Sequence, residues 1–247
     1  MVKPLTILCV HGVGHAELDP MFRDRWNDAI LAGVRALRPD QPVTLEFFQY
    51  DTLFEHAPLN PGVYEKAFTR LLASAAVHGI IDLLTARRAL ADLPAAIRWT
   101  AGMVAQWSAE DDLRAAARAR LLAQLAGRTY DLVCAHSLGS LIAYDTFARQ
   151  PDAIAGTVLA TLGSQIGHPA VRDVFAGRIS GLRRASHWYH LFNPHDHVLT
   201  RPLSVPDGNF SQLTTTFDLP NDILNHDAAA YLRHANTIAG LWRPLLG

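Results

Sequence analysis

A serine sits between small residues in Ala135-His136-Ser137-Leu138-Gly139, directly after the apolar run "YDLVCA" (130–135). The pattern is close to G-x-S-x-G, in which a sharp strand-to-helix turn lifts a serine hydroxyl off the end of a sheet. Such a turn is strained, so the residues two before and two after the serine are expected to pack against each other and must be small. Ala135 and Gly139 meet that demand, and Ser140 keeps the next position small; alanine at the first position departs from the pattern by one methyl. The competing reading is an ordinary turn in which Ser137 only caps the helix. As a nucleophile, Ser137 needs a base to take its proton and preformed N–H donors for the oxyanion it generates. The N–H of Leu138, at the helix start, is one donor. The loop "HGVGH" (11–15) is the expected source of the second, because Gly12 and Gly14 leave the backbone bare and let the N–H of Val13 turn toward the site. That loop lacks the G-x-G-x-x-G spacing and the lysine of a phosphate-binding loop, which argues against a nucleotide site.

With twelve histidines in the chain, order must select the base. For a serine at such an elbow the order is serine, acid, histidine. Only His226 and His234 follow the last expected strand. His234 lies within "YLRHANTIAG", expected to be mid-helix, whereas His226 lies in "NDILNHD", where the final helix begins; His226 is the candidate base, oriented by a carboxylate. Asp196, just past a strand end in "HLFNPHDHV", is the candidate acid. Its competitors are placed less well: Asp173 in an amphipathic helical stretch, Asp207 in the turn "PDGN", Asp218 and Asp222 too close in order to His226. His195-Asp196-His197 also has a metal-ligand spacing, but a site would need at least one further ligand, and two histidines flanking a catalytic acid require no metal. The chemistry calls for no cofactor.

These side chains need a frame. "LTILCV" (5–10), "VTLEFFQY" (43–50), "YDLVCA" (130–135), "AGTVLATLGSQ" (155–165), "HWYHLFN" (187–193) and "FSQLTTTF" (210–217) read as strands. Phe22, Trp26, Ile30, Val34 and Leu37 recur at helical spacing. "SAEDDLRAAARARLLAQLAG" (108–127) reads as a helix capped by Ser108 and stopped at Gly127, "LGSLIAYDTFARQ" (138–150) as another, and "DAAAYLRHANTIAGLW" (227–242) as the last. Strands alternating with helices predict an α/β fold: a mostly parallel sheet with helices on both faces, in a single domain over 1–247. Residues 52–125 hold more helix than one crossover needs and read as an insertion. Within it, "LLASAAVHGIIDLL" (71–84) and "LPAAIRWTAGMVAQW" (93–107) are apolar enough to form a lid over Ser137, or a helical layer packed on the sheet. Peripheral contact of these apolar helices with a membrane surface is a further expectation.

Composition narrows the classes. The chain has 247 residues, 49% hydrophobic, with a formal net charge of -1. It has no basic run of the kind that nucleic acid requires, no segment near the ~18 uninterrupted apolar residues of a membrane span, and no signal-peptide pattern; a cytoplasmic location is expected. Cys9 and Cys134 sit inside apolar runs and read as core thiols. If the strands carrying them are neighbours, the two should be adjacent and buried.

Taken in order, "HGVGH", "AHSLGS", "NPHDHV" and "NHDAAAYL" resemble the α/β-hydrolase superfamily, and the Ala-first elbow is similar to that of lipases and inositol-deacylase-like enzymes. "TLGSQIG" (161–167) is similar to the "TLGSP" segment of such lipases, with Gln165 in place of proline, and "LFNPHDHVLTRPL" weakly resembles the strand-and-acid region of intracellular phospholipases. The resemblance covers most of the chain outside roughly 52–125. It implies an α/β-hydrolase fold with Ser137 as nucleophile, His226 as general base, Asp196 as orienting acid, and Val13 and Leu138 as the oxyanion hole. It further implies a serine esterase or lipase cleaving a small-molecule ester, with an apolar acyl group if the insertion is a lid, through an acyl-enzyme. A thioesterase or acyltransferase on the same triad is the nearest alternative; a non-catalytic ligand-binding protein on the same scaffold is the one from another class.

Overall fold

Strands form where short apolar runs rich in β-branched and aromatic residues end at glycine, serine or proline. The computed structural model describes residues 2–12, 20–55, 95–220 and 225–247. In chain order these give β1 (Leu5–Val10), α1 (Phe22–Arg35), β2 (Val43–Phe48), α2 (Asp51–Glu55), α3 (Ala95–Ala109), α4 (Asp111–Leu125), β3 (Leu132–His136), α5 (Leu138–Arg149), β4 (Val158–Leu162), β5 (His187–Phe192), β6 (Phe210–Thr214) and α6 (Ala228–Arg233). All neighbouring strands run parallel, in a six-stranded sheet of order β2-β1-β3-β4-β5-β6. The chain is thus of the α/β class. Cys9 and Cys134 face each other across β1 and β3, both fully buried, which is the adjacency their sequence positions require. Burial raises both thiol pKa values well above the ordinary range, so both stay protonated.

Strand residues alternate between two cores, as the two-residue side-chain period demands. Leu8, Val10, Val133, Ala135, Leu159 and Trp188 face one side, with Val104 and Trp107 of α3, Leu113 of α4 and Leu141 of α5. Ile7, Cys9, Cys134, Ala160 and Leu191 face the other, with Trp26 and Ile30 of α1, Tyr231 of α6 and Trp242. Helices therefore cover both faces. α3 buries Val104, Ala105 and Trp107 completely, so the described part of 52–125 is a packed helical layer. Residues 71–84, the other half of the lid expectation, lie outside the described residues. No described helix is long and apolar enough to cross a membrane.

Two helix expectations need correction. Ser108 does not cap a helix over 108–127. It is inside α3, its hydroxyl bonded to the Val104 carbonyl, and the chain breaks at extended Glu110 before α4 begins. The acidic run 110–112 marked the right boundary, but the helix former upstream of it continues. Nor is 227–242 one helix: α6 ends at His234, whose ψ of 141° is extended, and helical pieces Ala235–Thr237, Ile238–Trp242 (a π-turn) and Arg243–Leu246 follow. The break lets Trp242 fold back onto α1. Its Nε1 donates to the Leu232 carbonyl at 3.1 Å. A Cβ on Gly33 would lie 2.4 Å from that nitrogen, so only glycine gives the indole its seat.

A polar chain crosses the core between β4 and β5. Trp188 Nε1 donates to Thr161 Oγ1 at 3.0 Å, and His190 Nε2 donates to the Arg201 carbonyl at 3.1 Å. His190 Nδ1 is then the acceptor of a neutral ring and takes the Thr161 hydroxyl proton at 3.0 Å. Burial lowers the His190 pKa to about 4, against the smaller opposing effect of its bond to Arg201.

Two outcomes are expected. Trp242→Ala should cost about 3–5 kcal/mol in urea unfolding, the usual range for a buried tryptophan. Because the unfolded His190 binds a proton near its ordinary pKa while the folded one does not, stability should fall as pH drops from about 6.5 toward 4. This group alone should remove about 2 kcal/mol between pH 7 and pH 5, read as the difference in urea unfolding between wild type and His190→Gln.

Candidate active site

In an open parallel sheet, ligands bind beyond the carboxyl ends of the strands where the strand order reverses. Here the reversal falls between β1 and β3, since β1 continues outward to β2 while β3 continues to β4, β5 and β6. The two loops leaving the reversal carry the glycines after His11 and the serine at 137.

Ser137 has φ 51° and ψ -128°, a region that non-glycine residues rarely occupy. Several neighbours hold it there. Its N–H bonds to the Leu162 carbonyl at 3.0 Å, continuing the β3–β4 ladder into the turn, and its carbonyl accepts from Ser140 of α5. The need for Gly139 is steric, and its nearest neighbours are on β1 and the residue after it: an added Cβ would sit 2.3 Å from the His11 carbonyl and 2.5 Å from that of Val10. The elbow is therefore wedged against the end of β1, which explains why a methyl at position 139 is not tolerated. Ser137 is no helix cap, since its side chain makes no cap bond; its Oγ is buried with no hydrogen-bond partner among the described residues.

Asp196 and His226 meet as the sequence order implied. His226 Nδ1 lies 2.7 Å from Asp196 Oδ2. A carboxylate can only accept, so Nδ1 carries the proton, and in the neutral ring Nε2 keeps its lone pair. That is the tautomer a general base requires, and Nε2 is buried with no partner among the described residues. The His136 ring, adjacent in sequence to Ser137, is 4.5 Å from the His226 ring. Gly163, one residue past the carbonyl that holds the Ser137 amide, backs both: a Cβ there would fall 2.9 Å from His226 Cε1 and 3.0 Å from His136 Nε2, and φ is +53°.

Asp196 is held at both oxygens. Oδ1 accepts from the Val198 amide at 2.9 Å, and Oδ2 accepts from the Tyr231 hydroxyl at 2.7 Å as well as from His226. Burial, then the Asp196 charge and its bond, raise the Tyr231 pKa well above the ordinary range, so the phenol stays a donor. Gln165 Nε2 donates to the Val198 carbonyl at 2.9 Å, a link from the loop after β4 to the acid loop that a proline in that place could not make. His226 follows Asn225, a left-handed residue (φ 51°) whose side chain binds the Leu219 amide, the His195 carbonyl and Asp218. Asp227 then caps α6 through the Ala230 amide and pairs with Arg25 of α1 at 3.7 Å.

The other candidates are used elsewhere. Asp218 pairs with His195 at 2.9 Å, and Asp207 with Arg183 at 3.4 Å. Asp173 opens a short 3-10 turn, and Asp222 lies outside the described residues. His234 sits at a helix break, where its Nε2 bonds the Thr216 carbonyl and its Nδ1 accepts from the Asn236 amide. No described group of three His, Cys, Asp or Glu residues could hold a metal ion; at 195–197 the side chains of His195 and Asp196 turn to different partners.

Leu138 is buried at the first position of α5, where N–H groups have no intrahelical acceptor and the positive end of the helix dipole lies. Val13 lies outside the described residues. The loop before it is anchored at His11, which stacks on Tyr50 (4.8 Å, 14°), faces Asp51 Oδ2 at 3.3 Å, and accepts the Tyr50 hydroxyl at its carbonyl, 2.7 Å away. Burial, then the charge of Asp51, raise the Tyr50 pKa and keep that donor protonated. Sequence reasoning missed Tyr231, Gly163, Asn225 and the Tyr50–Asp51 anchor. Only Gly163, in "TLGSQIG", carried a visible signal. The chain matches no family model, no curated protein and no solved structure.

Gly163→Ala combines a left-handed backbone with a collision at His226. It should cost about 1–2 kcal/mol in urea unfolding and displace the His226 Cε1–H resonance. Gly156→Ala supplies the comparison: φ there is also positive, at +74°, but nothing lies within 4 Å of the added carbon. It should carry only the backbone cost and leave that resonance in place.

Proposed function

We propose that the protein is a serine hydrolase of the α/β-hydrolase type that cleaves a carboxylic ester through an acyl-enzyme. The observation that carries this reading is the presence of two buried atoms with no hydrogen-bond partner among the described residues: a serine hydroxyl on a strained strand-to-helix turn, and the Nε2 of a histidine whose Nδ1 is committed to a buried carboxylate. A structural turn has no use for either. The order of the parts along the chain, and their place at the reversal of strand order, agree with the reading.

In the reaction, Ser137 Oγ attacks the ester carbonyl carbon as its proton passes to His226 Nε2. The imidazolium so formed is stabilised by Asp196 through the Nδ1 bond, while the Leu138 N–H faces the oxyanion. His226 returns the proton to the departing alkoxide, which leaves as the alcohol. Water then repeats the sequence, with His226 taking its proton, and the acid leaves from Ser137. The Ser137–His226 bond is not formed in the free protein, a common state of such pairs before substrate closes the site. An apolar acyl group is the proposed substrate on the apolar sequence of segment 71–84 alone; α3, the other half of the expected lid, is packed on the sheet.

A serine-directed fluorophosphonate should label the wild type, and Ser137→Ala should abolish labelling. Asp196→Asn removes the charge and favours the wrong His226 tautomer, so the labelling rate should fall about 10³-fold. Turnover of p-nitrophenyl esters, measured against acyl length, should rise from acetate to longer chains. A wild type that neither labels nor turns over any of them would instead favour a ligand-binding protein on this scaffold.

A further inference from the structure

The Asp196 carboxylate shares one oxygen between two donors from the same stretch of chain. His226 Nδ1 and the Tyr231 hydroxyl each lie 2.7 Å from Oδ2, while Oδ1 receives the Val198 amide. Tyr231 is fully buried, with its ring edge-on to Phe217 at 4.9 Å and 6.5 Å from that of His136. A phenylalanine would fill the same space. The hydroxyl is the part that packing does not explain, and it sits on the atom that orients the base.

Resting on the reading of Ser137, His226 and Asp196 as a working triad, we propose that Tyr231 is a positioning residue that tunes the base: its hydroxyl draws charge away from Asp196 Oδ2 and so limits how strongly that oxygen stabilises the His226 imidazolium. A hydrogen bond donated to a carboxylate disperses its charge. With the hydroxyl removed, Oδ2 presents its full charge to Nδ1, the imidazolium is favoured, and His226 holds its proton to higher pH. The carboxylate also loses one of the bonds that fixes its rotation, so the imidazole is aimed less well. His226 is faced by three further groups. His136 presents its ring from β3, Asp196 lies beyond β5, and the neighbouring Asp227 is tied to Arg25 of α1. Of these, only Asp196 bonds the Tyr231 hydroxyl, so a shift in the titration of the base reports the hydroxyl acting through that carboxylate.

The test is the rate of Ser137 labelling by a fluorophosphonate from about pH 5 to about pH 9, in the wild type, in Tyr231→Phe, and in protein carrying 3-fluorotyrosine at position 231. The fluorinated ring keeps the shape and donates more strongly. In Tyr231→Phe the acid limb should move up by roughly half a pH unit, with the plateau about threefold lower. Fluorotyrosine should move the limb down. A purely structural role lowers the rate evenly and gives no shifts of opposite sign. If the wild type labels and the limbs of all forms coincide, this inference is overturned and the triad stands. If the wild type does not label, both fall. Should Tyr231→Phe fail to fold, the comparison of fluorotyrosine with wild type decides alone.

Discussion

The burial of one carboxylate organises the functional end of this protein. The Asp196 side chain is fully removed from solvent, and a buried charge is stable only when its oxygens are occupied by donors. Its own loop supplies one, the Val198 amide. The remaining two, His226 and Tyr231, come from the far side of β6. Satisfying the acid therefore requires the chain to return across the sheet edge after its last strand, and that return brings the base into place. Removing either side-chain donor leaves the anion one bond short, so the stability of Asp196 and the aim of the His226 ring are the same interaction seen from two ends.

The return has its own supports. Neighbouring strands are about 4.8 Å apart, and β6 lies three places from β3, so a loop must cover roughly 14 Å to carry His226 back to the serine. α6 makes this possible by packing on α1, on the face that also holds Cys9 and Cys134. Asp227 caps α6 and reaches Arg25, and Trp242 fills the notch at Gly33. Asn225 turns the chain in a left-handed conformation immediately before the base. These contacts are remote from the hydroxyl of Ser137, yet they decide where the imidazole points.

What the sequence revealed and what it concealed divide along physical lines. The strands were legible because a parallel sheet buried on both faces needs continuous apolar runs, and all six appear within two or three residues of where their patterns place them. The meeting of Asp196 and His226 was legible because the order of elements limits which residues reach one edge. The helix boundaries were less so. At 108–110 the cap-like serine is outweighed by the packing of Trp107, and at His234 the periodic pattern runs on through a break that tertiary contact with α1 imposes. Tyr231 was concealed because an aromatic at helical spacing reads as core, which its ring is; only its oxygen has another task. The smallness of Gly139 was anticipated, but not the end of β1 that crowds it, since the sequence shows that a turn is tight but not which strand presses on it.

That neighbour matters to the chemistry. Ser137 stays in its strained conformation because the structure over-determines it: the Leu162 carbonyl holds the amide, Ser140 holds the carbonyl, and the end of β1 presses on Gly139. Strain of this kind costs of order 1–3 kcal/mol and persists only where the surroundings leave no alternative. The same β1 end continues at once into His11 and Gly12, anchored by Tyr50. Pressing the elbow onto β1 therefore sets the start of α5 against the start of the glycine loop. A nucleophile and its oxyanion donors must keep their relative positions to within a fraction of an ångström. In the proposed hydrolase that spacing would be fixed by direct backbone contact between β1 and α5, whereas Asp196 and His226 arrive on longer loops and rely on hydrogen bonds to find their register.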